Sequence, residues 1–391
     1  MNHLHYPTPR LLLLDKSEQD RRLERLRSSM LAHNIEWGFV TGNANKYYLT
    51  GRVFLGYILI GKATVTYYVK RPVELIGDDV VYIRKPEDIH WNAGNVALEL
   101  NSLSYSEACR LAAVFGMKDI PDFSDSLSAA RSVKTAYEIE LLQESGRCQD
   151  DVYRNIPGLF KPGMSDIEFQ IEIEHLSRMA GCLGQFRISG DTMELFMGNV
   201  LAGDNADAPS PYDFAMGGAG LNPSIPVGAN GTVIEEGMSV MVDINGNYTG
   251  YMTDMTRVYK VGSISQKAID AQQCSIEIHR MIQREAIPGT PARQLYEHTV
   301  EIVRQRGLEQ YFMGHRQHAG FVGHGVGIEI NEQPVIAPRS KSIIEDGNVI
   351  AIEPKFVIPG TGAVGIENTY VVRNNGMECI TNCNEDIIDL L

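Results

Sequence analysis

Residues 233–257 read VIEEGMSVMVDINGNYTGYMTDMTR, and residues 343–369 read IIEDGNVIAIEPKFVIPGTGAVGIENT. Each copy opens with an apolar pair, an acidic pair and a glycine, continues as an apolar strand to a turn, and returns as a second strand. Both strands of each copy carry an acid, and a threonine follows the second acid by two positions: Asp243, Asp254 and Thr256, then Glu353, Glu367 and Thr369. Two related β-hairpins predict a domain with two related halves.

The four acids are candidate metal ligands. Their apolar neighbours predict burial, where clustered carboxylates repel one another and lose hydration. No pair of Lys or Arg stands beside them in sequence to neutralise all four, whereas two divalent cations would balance the charge. His324, in the glycine-rich segment 323–327, is a fifth candidate. Four hard oxygens and one imidazole favour Mn²⁺, Co²⁺, Fe²⁺ or Zn²⁺.

Each of these residues also has an ordinary structural interpretation. Asp243 could cap a turn, Asp254 could pair with Arg257, and a histidine in a glycine-rich loop such as His324 is often structural. The duplicated placement of all four acids favours the metal site, because four separate coincidences would otherwise be needed.

The rest of the chain predicts an α/β protein. Residues 1–130 alternate a charged helix at 15–33 with short strand-like runs, which indicates a small α/β domain. Residues 131–391 open with an amphipathic helix at 131–149, and further helices are predicted at 165–179, 264–285 and 292–306. Residues 188–230 are dense in Gly, Pro, Asn and Asp and are predicted to form a loop, either a plain surface connection or a lining of the substrate site.

Composition excludes several classes of protein. The 391 residues carry 35 Lys and Arg against 49 Asp and Glu, a formal charge of −14, which disfavours nucleic acid or an anionic membrane as partner. The apolar run at 11–14 is too short for a signal peptide or a membrane span. Six scattered cysteines suit free thiols, so we expect a cytoplasmic protein.

In its order of candidate ligands the chain resembles the creatinase, aminopeptidase P and prolidase family of metallopeptidases. The supporting motifs are Asp254-Met-Thr-Arg257, Gly323-His-Gly-Val-Gly327, Ile352-Glu-Pro354, Tyr48-Leu-Thr-Gly51 and Arg131-Ser-Val-Lys134. The resemblance implies an α/β (α+β) architecture: a creatinase-like N-terminal domain at 1–130 and a pita-bread catalytic domain at 131–391 with two pseudo-symmetric halves.

The resemblance also implies roles for the ligands. Asp254 and Glu367 would bridge two metal ions, Asp243 would hold one ion, and His324 with Glu353 would hold the other. A hydroxide shared by the ions would attack the peptide bond, with Glu353 as general base. The implied activity is that of an Xaa-Pro aminopeptidase or dipeptidase acting on a peptide.

The chain departs from the family pattern where histidines usually contact the peptide. Val227, Gly320 and Asn331 stand at three such places, and His315 or His318 could substitute for one of them. These departures keep two alternatives open: a non-peptidase of the same fold that acts on a small amide or as a lyase, and an inactive peptide-binding module.

Proteins of this family with such an N-terminal domain commonly pair, so we expect a homodimer. The polar segment 43–52 is either a turn that reaches the partner's active site or a simple cap on a strand.

Overall fold

A computed structural model describes residues 9–188, 196–212 and 217–391. The chain divides into two compact units, Met1–Arg131 and Ser132–Leu391. Among the described helices, none is both long enough and apolar enough to cross a lipid bilayer.

The first unit is a small mixed sheet with helices. Its helices are α1 (Lys16–Ala32), α2 (Asn43–Thr50), α3 (Tyr105–Val114) and α4 (Ser124–Ser132), which ends at the unit boundary. Its strands are β1 (Gly38–Val40), β2 (Leu55–Ile60), β3 (Val65–Arg71), β4 (Val80–Tyr82) and β5 (Ala97–Leu98), in the order β4-β3-β2-β1-β5. The outer pairs β3–β4 and β1–β5 are parallel and the inner pairs antiparallel.

The polar segment 43–52 is mostly helix, not a turn. Within α2, Asn45 donates through Nδ2 to Glu99 Oε1 at 2.7 Å, and the Tyr48 hydroxyl donates to the Ala130 carbonyl oxygen at 3.1 Å. Both side chains are buried. They therefore stabilise the interior of the first unit, which leaves Asn45 and Tyr48 unable to reach a substrate.

The second unit contains the duplicated hairpins. Its helices are α5 (Ala136–Asn155), α6 (Asp166–Met179), α7 (Gln266–Glu285) and α8 (Ala292–Gln305). Its strands are β6 (Gly198–Ala202), β7 (Ser239–Asn247), β8 (Met252–Lys260), β9 (Gly323–Gly325), β10 (Glu332–Ile336), β11 (Val349–Ile352), β12 (Phe356–Ile358), β13 (Gly362–Val364), β14 (Asn368–Arg373), β15 (Gly376–Cys379) and β16 (Ile388–Asp389).

Two sheets of this unit form the two related halves. One has the order β16-β8-β7-β6 and packs against α5 and α6, and the other has the order β10-β9-β11-β14-β15 and packs against α7 and α8. Each half encloses its own buried apolar cluster. A bridge between Thr256 and Glu367 joins β8 to the start of β14, so the sheets meet where the hairpins come together.

Two sequence-based boundaries were wrong. The helix predicted at 131–149 begins only at Ala136, because Thr135 accepts from the backbone N–H of Glu138 while Glu138 accepts from that of Thr135, a capping box that starts a new helix. The predicted loop 188–230 contains β6, since the apolar residues after Gly198 are buried against β7. Residues 189–195 and 213–216 of that predicted loop lie outside the described residues.

Candidate metal centre

The first hairpin presents Asp243 and Asp254 from adjacent antiparallel strands. Asp243 on β7 pairs with Thr256 on β8, and Asn245 pairs with Asp254, so the two acids lie two positions apart along the ladder. Residues two positions apart on a strand face the same side of a sheet. The hairpin register therefore brings both carboxylates to one face.

The second hairpin presents Glu353 and Glu367 at an interruption. Strands β11 and β14 pair up to Ile352 and Asn368, and the chain then continues into the separate pair β12–β13. Both glutamates fall in the gap between the two pairs, just outside regular strand. The prediction that they lie inside strands is wrong by one residue each, because the regular pairing of β11 with β14 ends at Ile352 and Asn368.

His324 comes from the neighbouring strand. It sits on β9 opposite Ala351 of β11, two residues from Glu353. Its Nε2 lies 3.2 Å from Glu353 Oε1, 3.9 Å from Glu367 Oε1 and 4.0 Å from Asp254 Oδ2. Ligand atoms of Asp254, His324 and Glu367 all fall within 4.8 Å of one another.

The two threonines of the repeat hold the acids of the opposite hairpin. Thr256 donates through Oγ1 to Glu367 Oε2 at 2.9 Å. Thr369 accepts from the backbone N–H of Asp254 at 2.8 Å and donates to its carbonyl oxygen at 2.8 Å. Because both threonines are fully buried, each hairpin orients the acid of the other.

Arg257 does not pair with Asp254 within the described part of the chain. Its guanidinium donates instead to backbone carbonyl oxygens, including those of Thr256 at 2.8 Å and Glu367 at 2.9 Å. Arg257 is buried, and these bonds fix the backbone that carries the acids. The ordinary interpretation of Asp254 as the partner of Arg257 is therefore wrong.

Lys355 is the residue that sequence reasoning missed. Its Nζ lies 2.8 Å from Asp243 Oδ2, 2.9 Å from Glu353 Oε2 and 3.0 Å from Glu367 Oε2. The Lys355 side chain is 0% exposed. A lysine inside the apolar run 349–358, two residues after a candidate ligand, was the signal that could have identified it, because an unpaired buried ammonium is costly.

Burial and neighbouring negative charge both raise the pKa of two of the acids. Burial, followed by the charges of Glu367 and Asp243, raises the pKa of Asp254 well above its usual range. Burial and the charge of Glu353 raise the pKa of Glu367 to about 8, with Lys355 opposing the shift. Even with one ammonium present, the cluster favours additional positive charge.

At Glu353 and Lys355 the neighbouring charges outweigh burial and favour the ionised forms. Burial alone would raise the pKa of Glu353, but Lys355 and His324 outweigh it and lower that pKa to about 2. Burial alone would lower the pKa of Lys355, but the carboxylates of Asp243, Glu353 and Glu367 raise it well above its ordinary value. The side chains therefore lie together as a carboxylate and an ammonium.

The centre also contains unpartnered oxygens. Asp254 Oδ1 and Glu367 Oε1 are buried and have no hydrogen-bond partner among the described residues. Buried carboxylate oxygens normally have partners, since the loss of hydration is otherwise uncompensated. Both oxygens belong to residues grouped around His324 Nε2, so this side of the cluster fits a divalent cation.

Two of the predicted substrate residues lie next to the strands of the centre. Val227 is buried. The next residue, Gly228, approaches Asn199 closely, since a Cβ on Gly228 would lie 3.1 Å from Asn199 Oδ1. Asn199 lies on β6 and pairs with Asp243 on β7. Asn331 is exposed and immediately precedes β10, the strand that pairs with β9. Neither supplies an imidazole.

The two predicted substitute histidines lie in one exposed segment with Gly320. His315 Nδ1 is 2.9 Å from Asp207 Oδ2, and His318 Nδ1 is 2.8 Å from the Phe312 carbonyl oxygen. The buried Asp207 carboxylate holds the His315 ring in place. His318 contacts a backbone carbonyl oxygen, whereas His315 contacts a buried carboxylate.

Comparison with known proteins identifies the family of the chain. The model of metallopeptidase family M24 matches residues 140–374, which span the candidate ligands, and the chain belongs to that family. The fold is the mixed α/β pita-bread fold expected from the sequence, and the family and its dipeptidase members identify the chain as an enzyme.

Three relatives illustrate the similarity. The chain is 28% identical to the uncharacterized peptidase YqhT of Bacillus subtilis, over 94% of this chain and 100% of the relative. It is 27% identical to the Xaa-Pro dipeptidase of Pyrococcus furiosus, over 94% and 99% of the respective chains. The solved structure of the Xaa-Pro dipeptidase from Bacillus anthracis superposes with a TM-score of 0.79 at 25% identity, over 95% and 99%.

Proposed function

We propose that this protein is a divalent-metal-dependent hydrolase that cleaves a peptide bond of the Xaa-Pro type, as a dipeptidase or an aminopeptidase. One observation carries the proposal: four carboxylates and His324 converge in the second unit, where Asp254 Oδ1 and Glu367 Oε1 have no hydrogen-bond partner among the residues that the structure describes. The relatives named Xaa-Pro dipeptidase support the substrate class.

Asp254, His324, Glu353 and Glu367 would hold the ion, with Asp243 at the edge of the cluster. Mn²⁺, Co²⁺, Zn²⁺ and Fe²⁺ all suit this set of oxygens and one imidazole. When bound, such an ion lowers the pKa of water and polarises the substrate carbonyl. The sequence predicts two ions per chain, which would require all five candidate ligands. Three of these five, Asp243, Glu353 and Glu367, are paired with Lys355.

Glu353 is the proposed general base. The Glu353 carboxylate lies beside His324 on the side of the cluster that would hold the ion, where it would take a proton from the attacking water. The water oxygen bonds to the carbonyl carbon, the C–N bond breaks, and Glu353 returns the proton to the departing nitrogen. The Asp243 side chain is 20% exposed, and we propose that substrate enters on that side.

Substrate contacts would come from Val227, Asn331, His315 and His318, with Gly320 beside the histidines. Without imidazoles at Val227 and Asn331, the scissile amide loses two hydrogen bonds that the family pattern supplies. Each such bond is worth about 1.5–3 kcal/mol when the donor is charged. The loss of these two hydrogen bonds favours a second candidate function, the hydrolysis of a small amide, because such a substrate needs fewer contacts.

We also propose a cytoplasmic homodimer without nucleic acid or membrane partners. The acidic charge of −14 supports the exclusion of nucleic acid. The six cysteines are free thiols, which suits a reducing compartment. Sedimentation of the purified chain tests the dimer.

Metal-stripped protein reloaded with Mn²⁺ or Co²⁺ tests the activity. We expect proline release from Xaa-Pro dipeptides only after reloading, more slowly than cleavage of the best substrate in a panel of longer Xaa-Pro peptides and small amides. The matched control is Glu353→Gln, which should keep the fold and lose turnover. Protein that binds the ion and hydrolyses no member of the panel would rule out the proposal.

A further inference from the structure

The ammonium of Lys355 has every donor in use. A lysine offers three N–H groups, and Nζ has three carboxylate partners at 2.8–3.0 Å: Asp243 Oδ2, Glu353 Oε2 and Glu367 Oε2. A divalent ion bound by Asp243 would need the same cluster of oxygens at about 2.0–2.2 Å. An ion and the ammonium cannot share that place.

The oxygens that remain lie on the opposite side of the cluster. In the described part of the chain Asp254 Oδ1 and Glu367 Oε1 have no hydrogen-bond partner, and Glu353 Oε1 faces His324 Nε2 at 3.2 Å. The group of ligand atoms within 4.8 Å of one another contains Asp254, His324 and Glu367. The oxygens available to an ion therefore lie on the His324 side.

The backbone of Lys355 is held on two sides. The Met313 backbone N–H donates to the Lys355 carbonyl oxygen at 2.8 Å. On the other side Gly365 approaches closely: a Cβ there would lie 2.9 Å from Lys355 Cα. These contacts fix the backbone from which the fully buried Lys355 side chain reaches the carboxylates.

We propose that the ammonium group of Lys355 takes the place of one of the two metal ions, so that this centre binds a single divalent ion among Asp254, His324, Glu353 and Glu367. The inference rests on the proposed metal-dependent function. Asp243 then serves as partner of Lys355. Four carboxylates and one ammonium sum to −3, and a single divalent ion reduces this to −1, so one ion removes most of the charge of the buried cluster.

Stoichiometry of Mn²⁺ tests the proposal without reference to activity. Metal-stripped full-length protein is titrated with Mn²⁺ by calorimetry, and electron paramagnetic resonance separates isolated ions from exchange-coupled pairs. We expect one equivalent of isolated Mn²⁺ in the wild-type chain and two equivalents in Lys355→Ala, where the place becomes free. Lys16→Ala, at an exposed lysine, is the control and should match the wild type.

A second variant keeps the test decisive if Lys355→Ala does not fold. Asp243→Asn should still bind one Mn²⁺, because Asp243 contacts Lys355 and not the ion. Three results would each overturn the proposal that Lys355 replaces an ion: two equivalents of Mn²⁺ in the wild type, one equivalent in Lys355→Ala, or none in Asp243→Asn. None of these results would contradict metal-dependent hydrolysis. A wild-type chain that binds no divalent ion would overturn the proposed function itself, and this inference with it.

Discussion

His279 is expected to make the second unit acid-sensitive. It lies on α7 with its Nδ1 2.8 Å from the Tyr370 hydroxyl and its Nε2 3.0 Å from the Ile366 carbonyl oxygen. Because a carbonyl oxygen only accepts, Nε2 carries the hydrogen, and the neutral ring accepts from Tyr370 through Nδ1. Protonation would place a second hydrogen against the hydroxyl in a buried site.

The size of the effect follows from the pKa of His279. Burial lowers it from 6.5 to about 3, although the bond to Ile366 opposes the shift. The unfolded chain therefore binds the proton first, so the stabilisation is complete above pH 6.5 and is lost as the pH falls toward 3. At about 1.36 kcal/mol per pH unit, the free energy of unfolding should be about 2 kcal/mol lower at pH 5 than at pH 7.5.

Urea unfolding at the two pH values, in wild type and His279→Gln, measures this loss. The glutamine amide can donate to Ile366 but does not titrate, so acid-sensitivity from other groups cancels in the comparison. The two tryptophans, Trp37 and Trp91, both lie in the first unit, and their fluorescence supplies an internal reference. Hydrogen exchange of α7 and β14 reports on the second unit. Equal pH dependence in wild type and variant would refute the reasoning.

Two further predictions concern the acids of the centre and the backbone beside it. Asp254→Ala or Glu367→Ala should lose bound metal and activity together, and stoichiometric metal retained in elemental analysis would contradict their role. Gly365→Ala should lower the melting temperature more than Gly360→Ala does: both glycines have positive φ, +119° and +78°, but only at Gly365 would a Cβ clash, 2.6 Å from the Pro354 oxygen. If calorimetry gave equal decreases in melting temperature for the two variants, the predicted clash of the Gly365 Cβ would be wrong.

The sequence predicts the hairpins well because their periodicity is local. The two acids on each hairpin and the threonines that follow them are visible as a repeat, and the structure places both copies at one centre. Helix α6 is also visible, since Ser165 and Glu168 form a capping box at its start. Such features depend only on neighbours along the chain.

What escaped prediction depends on contacts between distant segments. Lys355 looked like an isolated charge in sequence, and only the fold places Asp243 and Glu367 beside it. The strand β6 resembled a loop because its partner β7 begins almost forty residues later. The exchange of threonine bonds between hairpins is likewise invisible until both are positioned.

That exchange of threonine bonds bears on how the protein is made. The bonds from Thr256 to Glu367 and from Asp254 to Thr369 join residues 111 and 115 positions apart. A ribosome adding about 5–20 residues per second needs roughly 6–23 s to cross that interval. Throughout it, the emerging first hairpin holds two acids without their counterparts. We therefore expect the centre to assemble only after the second hairpin has left the ribosome.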